Sequence, residues 1–414
     1  MRIYKIVIGS SSYFDKALDE AYSIIDEKNV KIPSFLELIR IFDAQKQSGN
    51  TDTVETPLLF IRNNDYNGIV NAAHDRLGPL IEDITHDKEL ILIHNPPRVL
   101  YEYLQDKKAR NLITLEEDRE EYSIQKEPEK FKENILRISD AIVGQDRAII
   151  EISKSLWYLI SVQRKKPYVI MLYGNSSLGK TELVREVAKH FFEGKVLEKH
   201  LSMFKNNNYS DYFFGEEPNR RSLGFDLLER TSNLIFLDEL DKCPEFFYSA
   251  FYTLFDNVEF KDATYDVDIS GAIIILTSNY LSEDEMKQHL GMPIFYRIDK
   301  MIKFEDFSPQ TIYEITMKEI EARKEEYGDM ISPERIYEIV SKEISTKNEN
   351  ARTIKFKVQQ VIENLLFKEV ENSLADKEKS NHYAPRKKHK SLSYGRRCKR
   401  TYQMHTCQLD RRCI

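Results

Sequence analysis

Between the apolar run Tyr168–Tyr173 and the helix-patterned stretch Glu182–Phe192 lie eight residues, Gly174-Asn175-Ser176-Ser177-Leu178-Gly179-Lys180-Thr181. A strand, a glycine-bounded loop and a helix in that order wrap backbone N–H groups around an anion and aim a helix N-terminus at it. In such a loop Lys180 reaches the outer phosphates of a nucleotide, and the Thr181 hydroxyl ligates magnesium. Loops of this kind cap parallel α/β sheets, so further apolar strands should bring their ends to the same edge.

Two runs meet that expectation. Leu234–Leu237 is a buried-strand pattern tipped by Asp238-Glu239, 58 residues beyond Lys180. Two adjacent carboxylates there suit a division of labour, with Asp238 holding magnesium through water and Glu239 polarising the attacking water. A third run, Ala272–Leu276, ends in Thr277-Ser278-Asn279 and adds a side-chain amide to that edge.

With these residues in place the chain resembles the AAA+ ATPases and, within them, the Clp group of protein unfoldases. Gly179-Lys180-Thr181-Glu182-Leu183 and Asp238-Glu239-Leu240-Asp241-Lys242 match the group's loop and acidic motif, and Thr277-Ser278-Asn279 its first sensor. Ile142-Val143-Gly144-Gln145-Asp146 matches the stretch beside the adenine. Phe295-Tyr296-Arg297-Ile298-Asp299 resembles the segment that carries the arginine finger, and Asn350-Ala351-Arg352 the second sensor. The resemblance covers about residues 135–370. It implies ATP and Mg2+ as ligands, with Asn279 orienting the water, Arg352 touching the γ-phosphate in its own subunit and Arg297 serving the neighbour's. A finger that acts in trans implies a homo-oligomeric ring, a hexamer by resemblance.

One segment departs from the group. The Gly-Tyr-Val-Gly grip is missing, and the corresponding stretch, Phe213–Gly224, is basic where the group is aromatic. If the chain threads polypeptide, Tyr212, Phe213 or Phe214 should face the channel; these rings could equally pack into the core. If Arg220 and Arg221 face it instead, the ligand is acidic. Asn350 also stands where the group has glycine.

The fold class expected is α/β: a P-loop NTPase parallel sheet with a small helical lid, preceded by a separate small α/β domain. In the latter, Ile3–Gly9, Pro57–Arg62 and Glu89–His94 read as strands, and 13–26, 33–47, 66–85 and 98–110 as helices. The domains expected are 1–115, of unassigned role; a charged linker or solvated helix, 116–134; the ATPase core, 135–305; the lid, 306–375; and a basic tail, 376–414, lacking the apolar residues to order itself. Residues 377–414 carry 12 Lys and Arg against 2 Asp and Glu, while the full chain has net charge −7. The body is therefore acidic and the tail basic, which leaves nucleic-acid contact open for the tail.

Four cysteines in 414 residues make no disulfide framework, and no run approaches the eighteen or so apolar residues a membrane helix needs. A cytoplasmic protein with no membrane contact is expected. The function implied is ATP-driven remodelling or unfolding of a protein partner chosen by the N-terminal domain. The alternative is an ATP-dependent assembly switch that recruits an effector or nucleic acid without threading.

Overall fold

The computed structural model describes residues 2–24, 32–47, 57–85, 90–122, 124, 126–162, 164–205, 209–344 and 349–382. The chain forms two compact units, residues 1–361 and 362–414.

The chain opens with β1 (Ile3–Ile8), α1 (Ser11–Ile24), α2 (Phe35–Gln47), β2 (Leu58–Ile61), α3 (Asn71–His74), α4 (Leu77–Ile84), β3 (Leu90–His94), α5 (Arg98–Ala109) and β4 (Thr114–Arg119). The four strands make one parallel sheet of order β2-β3-β1-β4. Its two faces are covered by separate apolar clusters, one around Tyr4, Ile6, Leu59 and Ile93, the other around Val7, Phe14, Leu58 and Leu92. Burying each such side chain contributes roughly 1.5–3 kcal/mol, so a sheet sandwiched on both faces holds without help from its polar edges.

Two expectations change here. The stretch 66–85 is a 3-10 turn, Asn63–Gly68, followed by two short helices, rather than one helix. Of the linker or solvated helix expected at 116–134, 128–134 open a helix, but the segment's start belongs to the sheet: β4 runs to Arg119 and pairs with β1 from Ile3↔Thr114 to Ile8↔Arg119. In β4, TLEEDR, only Leu115 is buried, because a sheet-edge strand tolerates charge along its length.

The second part begins with α6 (Pro128–Ala141) and α7 (Asp146–Ser161), then β5 (Tyr168–Tyr173), α8 (Lys180–Phe191), β6 (Leu197–His200), α9 (Ser210–Phe214), α10 (Leu223–Leu228) and β7 (Leu234–Asp238). It continues through α11 (Tyr248–Asp256), the hairpin β8 (Glu259–Lys261) and β9 (Asp266–Asp268), β10 (Ile273–Ser278), α12 (Glu283–Phe295) and β11 (Lys300–Lys303). The parallel sheet has order β11-β5-β10-β7-β6. Its inner strands are almost wholly buried, as their uninterrupted apolar runs require. Trp157 packs α7 on α6, edge-on to Phe131 at 5.0 Å.

The segment expected as a lid holds α13 (Pro309–Ala322), α14 (Lys324–Tyr327), α15 (Pro333–Glu343) and the start of α16 (Ala351–His382). Helix α16 continues past Ala375, so 376–382 of the expected tail are helical; residues 383–414, with Cys398, Cys407 and Cys413, lie outside the described residues. Among the described residues no helix is long and apolar enough to cross a membrane.

Candidate active site

Strand β5 delivers the chain into the loop 174–179, which turns through left-handed conformations at Gly174 (φ 134°), Ser177 (φ 60°) and Gly179 (φ 101°) before α8 begins. Only glycine fits at 174, since a Cβ there would lie 2.5 Å from the Phe304 carbonyl oxygen. Lys180 is 7% exposed, and its Nζ donates to the carbonyls of Gly174 and Asn175, both at 2.7 Å, and to Asn279 Oδ1 at 3.3 Å. Burial pulls its pKa down to about 8, against the opposing pull of Asp241, Asp238 and Glu239.

The ends of β7 and β10 meet the loop from below. Asp238 Oδ1 accepts from Thr277 Oγ1 and, at 3.3 Å, from Thr181 Oγ1, while Oδ2 lies 3.1 Å from His200 Nδ1. The Glu239 backbone is left-handed (φ 60°), and its N–H donates to Thr277 Oγ1 at 2.9 Å. Asn279 donates through Nδ2 and its backbone N–H to Asp241, each at 3.2 Å.

The opposite wall comes from the segment before α7 and from the lid. Ile142 and Val143 line it, and the neighbouring Gln145 side chain is clamped to both backbone groups of Glu305. The first turn of α16 carries Arg352, and the Ala351 N–H donates to the Ser177 carbonyl at 3.2 Å, tying lid to loop. Asn350 caps that helix, its Oδ1 accepting from the Thr353 N–H at 3.0 Å, which accounts for the amide where the group has glycine.

These walls enclose a cleft of about 910 Å³, lined by Ile142, Val143, Ser176, Ser177, Leu178, Gly179, Lys180, Thr181, Glu182, Asp238, Glu239, Asn279 and Arg352. Of the residues expected in the site, Gly174 and Asn175 are not part of the lining, and the Asn175 side chain donates to Asp306 at 2.7 Å. Arg297 stands apart from the cleft: it is ion-paired with Asp256, donates to the Pro293 carbonyl at 2.6 Å and lies 4.8 Å over the Tyr252 ring. Residues the sequence did not reveal also reach the cleft, among them His200, Lys318 and Lys355. His200 ends β6, whose LEKH carries no strand pattern, so only its place beside β7 marks it.

The donor set fits a nucleotide with a hard divalent cation. Among the described residues no three His, Cys, Asp or Glu side chains cluster to hold a metal. Magnesium here would rest on Thr181, Asp238 and phosphate oxygens, the arrangement that ion favours.

In the segment Phe213–Gly224 the structure decides between the two places open to its aromatic rings, the channel and the core. Phe213 is 2% exposed, packed on Phe247 at 4.4 Å and on Phe251, so it belongs to the core. Phe214 packs against the same core, and the Tyr212 hydroxyl is bound to Asp226 at 2.7 Å. Arg220 pairs with Asp211 and Glu217, both at 2.9 Å, and Arg221 with the buried Asp226. The segment closes on the buried Asp262 carboxylate, which accepts from Ser222 Oγ and from the N–H groups of Gly224, Thr264 and Tyr265. A Cβ at Gly224 would lie 2.4 Å from that carboxylate.

Residues 170–306 match the family described as "ATPase family associated with various cellular activities (AAA)". A mitochondrial disaggregase of Bos taurus is 27% identical over 169 residues, 37% of this chain and 24% of that protein. Chaperone protein ClpB of Yersinia enterocolitica is 24% identical over 159 residues (36% and 18%), and that of Malacoplasma penetrans 23% over 273 residues (59% and 39%). The matches thus span between about a fifth and two fifths of these relatives' own length. A cryo-EM structure of Hsp104 with ATPγS and FITC casein superposes with a TM-score of 0.47 at 14% identity, over 90% of this chain and 88% of that one.

Proposed function

We propose that this chain, a Clp-type AAA+ ATPase by its motifs and relatives, couples ATP hydrolysis to remodelling of a protein partner in the cytoplasm. The observation that carries the reading is the convergence of Lys180, Thr181, Asp238, Glu239, Asn279 and Arg352 on one cleft. Lys180 and the loop N–H groups bind the β and γ phosphates, and the wall at Ile142 and Val143 receives the base. Thr181 and Asp238 hold magnesium, which, when bound, neutralises charge on the phosphate oxygens. Glu239 takes a proton from the attacking water while Asn279 orients it. Arg352 senses the γ-phosphate and, through the Ala351–Ser177 hydrogen bond, links its loss to lid movement.

Arg297 supplies the charge that phosphoryl transfer requires to the neighbouring subunit of a hexameric ring, an assignment its distance from its own chain's cleft supports. The partner is selected by the N-terminal domain. Measuring nucleotide affinity and turnover for Lys180→Ala and Glu239→Gln tests the core of this reading: the first should lose binding, the second only turnover. Near-normal turnover in Glu239→Gln would remove Glu239 from the role of base.

The burial of Phe213 favours a second reading, an ATP-dependent switch that recruits an effector or nucleic acid without threading. An unfolding assay on a tagged stable protein separates the two. ATP-dependent loss of the folded tag supports remodelling by threading, and ATP turnover with the tag intact supports the switch.

A further inference from the structure

At the carboxyl edge of the first sheet, three loops converge on a side chain from the other half of the unit. Glu229, the residue after α10, places Oε2 2.9 Å from the Ser11 N–H and 2.7 Å from the Ser11 hydroxyl, at the start of α1. Its Oε1 accepts from Asn63 Nδ2 at 2.8 Å and from Asn95 Nδ2 at 3.3 Å. Asn63, His94 and Asn95 are each only 1% exposed. His94 completes the floor: its Nε2 lies 2.9 Å from the Gly9 carbonyl and its Nδ1 3.4 Å from the Asn63 N–H. One carboxylate thus answers four donors that the first domain aims at a single point.

This contact is reinforced from the hairpin side. The Arg98 N–H donates to the Thr264 carbonyl at 2.8 Å and its guanidinium to the Asp262 carbonyl and the Asp266 side chain. The Tyr265 hydroxyl reaches Asn63 Oδ1 at 3.4 Å, and Arg230 lies 4.5 Å over the Tyr122 ring. Three residues separate Arg230 from β7, whose last residue is Asp238, and the Arg230 Nε donates to the last of them, Asn233 Oδ1, at 3.2 Å.

We propose that Glu229 is a latch: seated in its socket it fixes the N-terminal domain on the core, and its release is the event through which whatever binds that domain alters the strand bearing Asp238 and Glu239. The part concerning turnover rests on the ATPase reading above; the docking does not. The carboxyl edge of an open α/β sheet is its usual ligand face, and here the chain's own carboxylate fills it. A partner that enters by this edge must therefore displace Glu229.

The test uses the full chain. Glu229→Ala leaves four donors without their acceptor, so docking should weaken about tenfold or more. That is read as faster proteolysis between Arg119 and Glu127 and faster amide exchange at Gly9–Tyr13, with ATP turnover shifted from the parent's. Asn63→Asp sets a second carboxylate against Glu229 and should open the interface. Adding Glu229→Gln to it lets the new amide donate to the new carboxylate, and should restore protection. That rescue separates a latch from general damage to the fold, and it decides the matter even if Glu229→Ala fails to fold. Protection equal to the parent's in Glu229→Ala, or no rescue by the exchanged pair, overturns the latch. Loss of protection with unchanged turnover overturns the coupling. A parent that hydrolyses no ATP defeats the ATPase reading instead, while the proteolysis and exchange results still judge the docking.

Discussion

The sheet β2-β3-β1-β4 and the sheet β11-β5-β10-β7-β6 both gather polar residues at the carboxyl ends of parallel strands, yet the first ends against Glu229 and the second opens on a cleft of about 910 Å³. In the first, Ser11, Asn63 and Asn95 are neutral donors matched to one carboxylate. In the second, a buried ammonium, Lys180, has its pKa drawn down to about 8 even with three carboxylates nearby. An added polyanion stabilises that charge, whereas the socket has none to spare. Polar strand ends are therefore weak evidence for a ligand, and the balance of charge behind them is the stronger guide.

The largest expected effect concerns the turnover proposed for the open edge, through an arginine that stands apart from it. Arg297→Ala should reduce turnover by roughly 10³–10⁵ with nucleotide affinity retained. Rings mixed from Arg297→Ala and Glu239→Gln subunits should recover part of it, since some interfaces then pair an intact finger with an intact base. Turnover of verified mixed rings is the measurement, and an arginine acting only within its own chain predicts no recovery.

Next in size, Glu239→Gln should slow hydrolysis by about 10²–10⁴ and leave binding intact. Single-turnover rates beside equilibrium affinity separate the two effects.

Between the edges lies Phe213. Truncation to Ala should cost about 3–5 kcal/mol of stability, as for any buried phenylalanine. Thermal or denaturant unfolding reads this. A variant of parental stability that loses remodelling alone would return Phe213 to the role of a gripping residue.

The smallest effect belongs to the closed edge. Burial lowers the His94 pKa below its ordinary 6.5, although Glu229 pulls the other way. As pH falls through 6.5 the unfolded chain takes up a proton there that the folded chain resists, so stability declines. Replacing His94 with Gln removes that contribution, and the stability gap between parent and variant should narrow from pH 7.5 to pH 5.5. A gap independent of pH would mean that His94 titrates alike in both states.

What could be read beforehand follows from the same physics. Inner strands such as YVIMLY (168–173) and IIILTS (273–278) must be apolar on both faces, and the loop 174–181 is constrained residue by residue, so both were legible. The strands without a readable pattern are TLEEDR, LEKH and KMIK, all at sheet edges, and EFK and DVD, which pair only with each other; in each, one side of the backbone is free and charge is tolerated. His200 rides on one of them and carries no signal of its own. For Phe213 the sequence leaves channel and core equally open, and the short helix α9 turns it onto Phe247 and Phe251. The socket was invisible for another reason: Ser11, Asn63, Asn95 and Glu229 are spread over more than 200 residues and share no pattern.

The left-handed backbone at Glu239 carries a consequence for how this sequence is free to drift. A side-chain-bearing residue held at φ 60° costs roughly 1–2 kcal/mol relative to glycine. Glu239→Gly should therefore relax the turn after β7 even as it removes the carboxylate assigned to hydrolysis. If Glu239 is the base proposed above, the demands of folding and of turnover oppose each other at this one position, and Glu239→Gly should gain stability while losing hydrolysis.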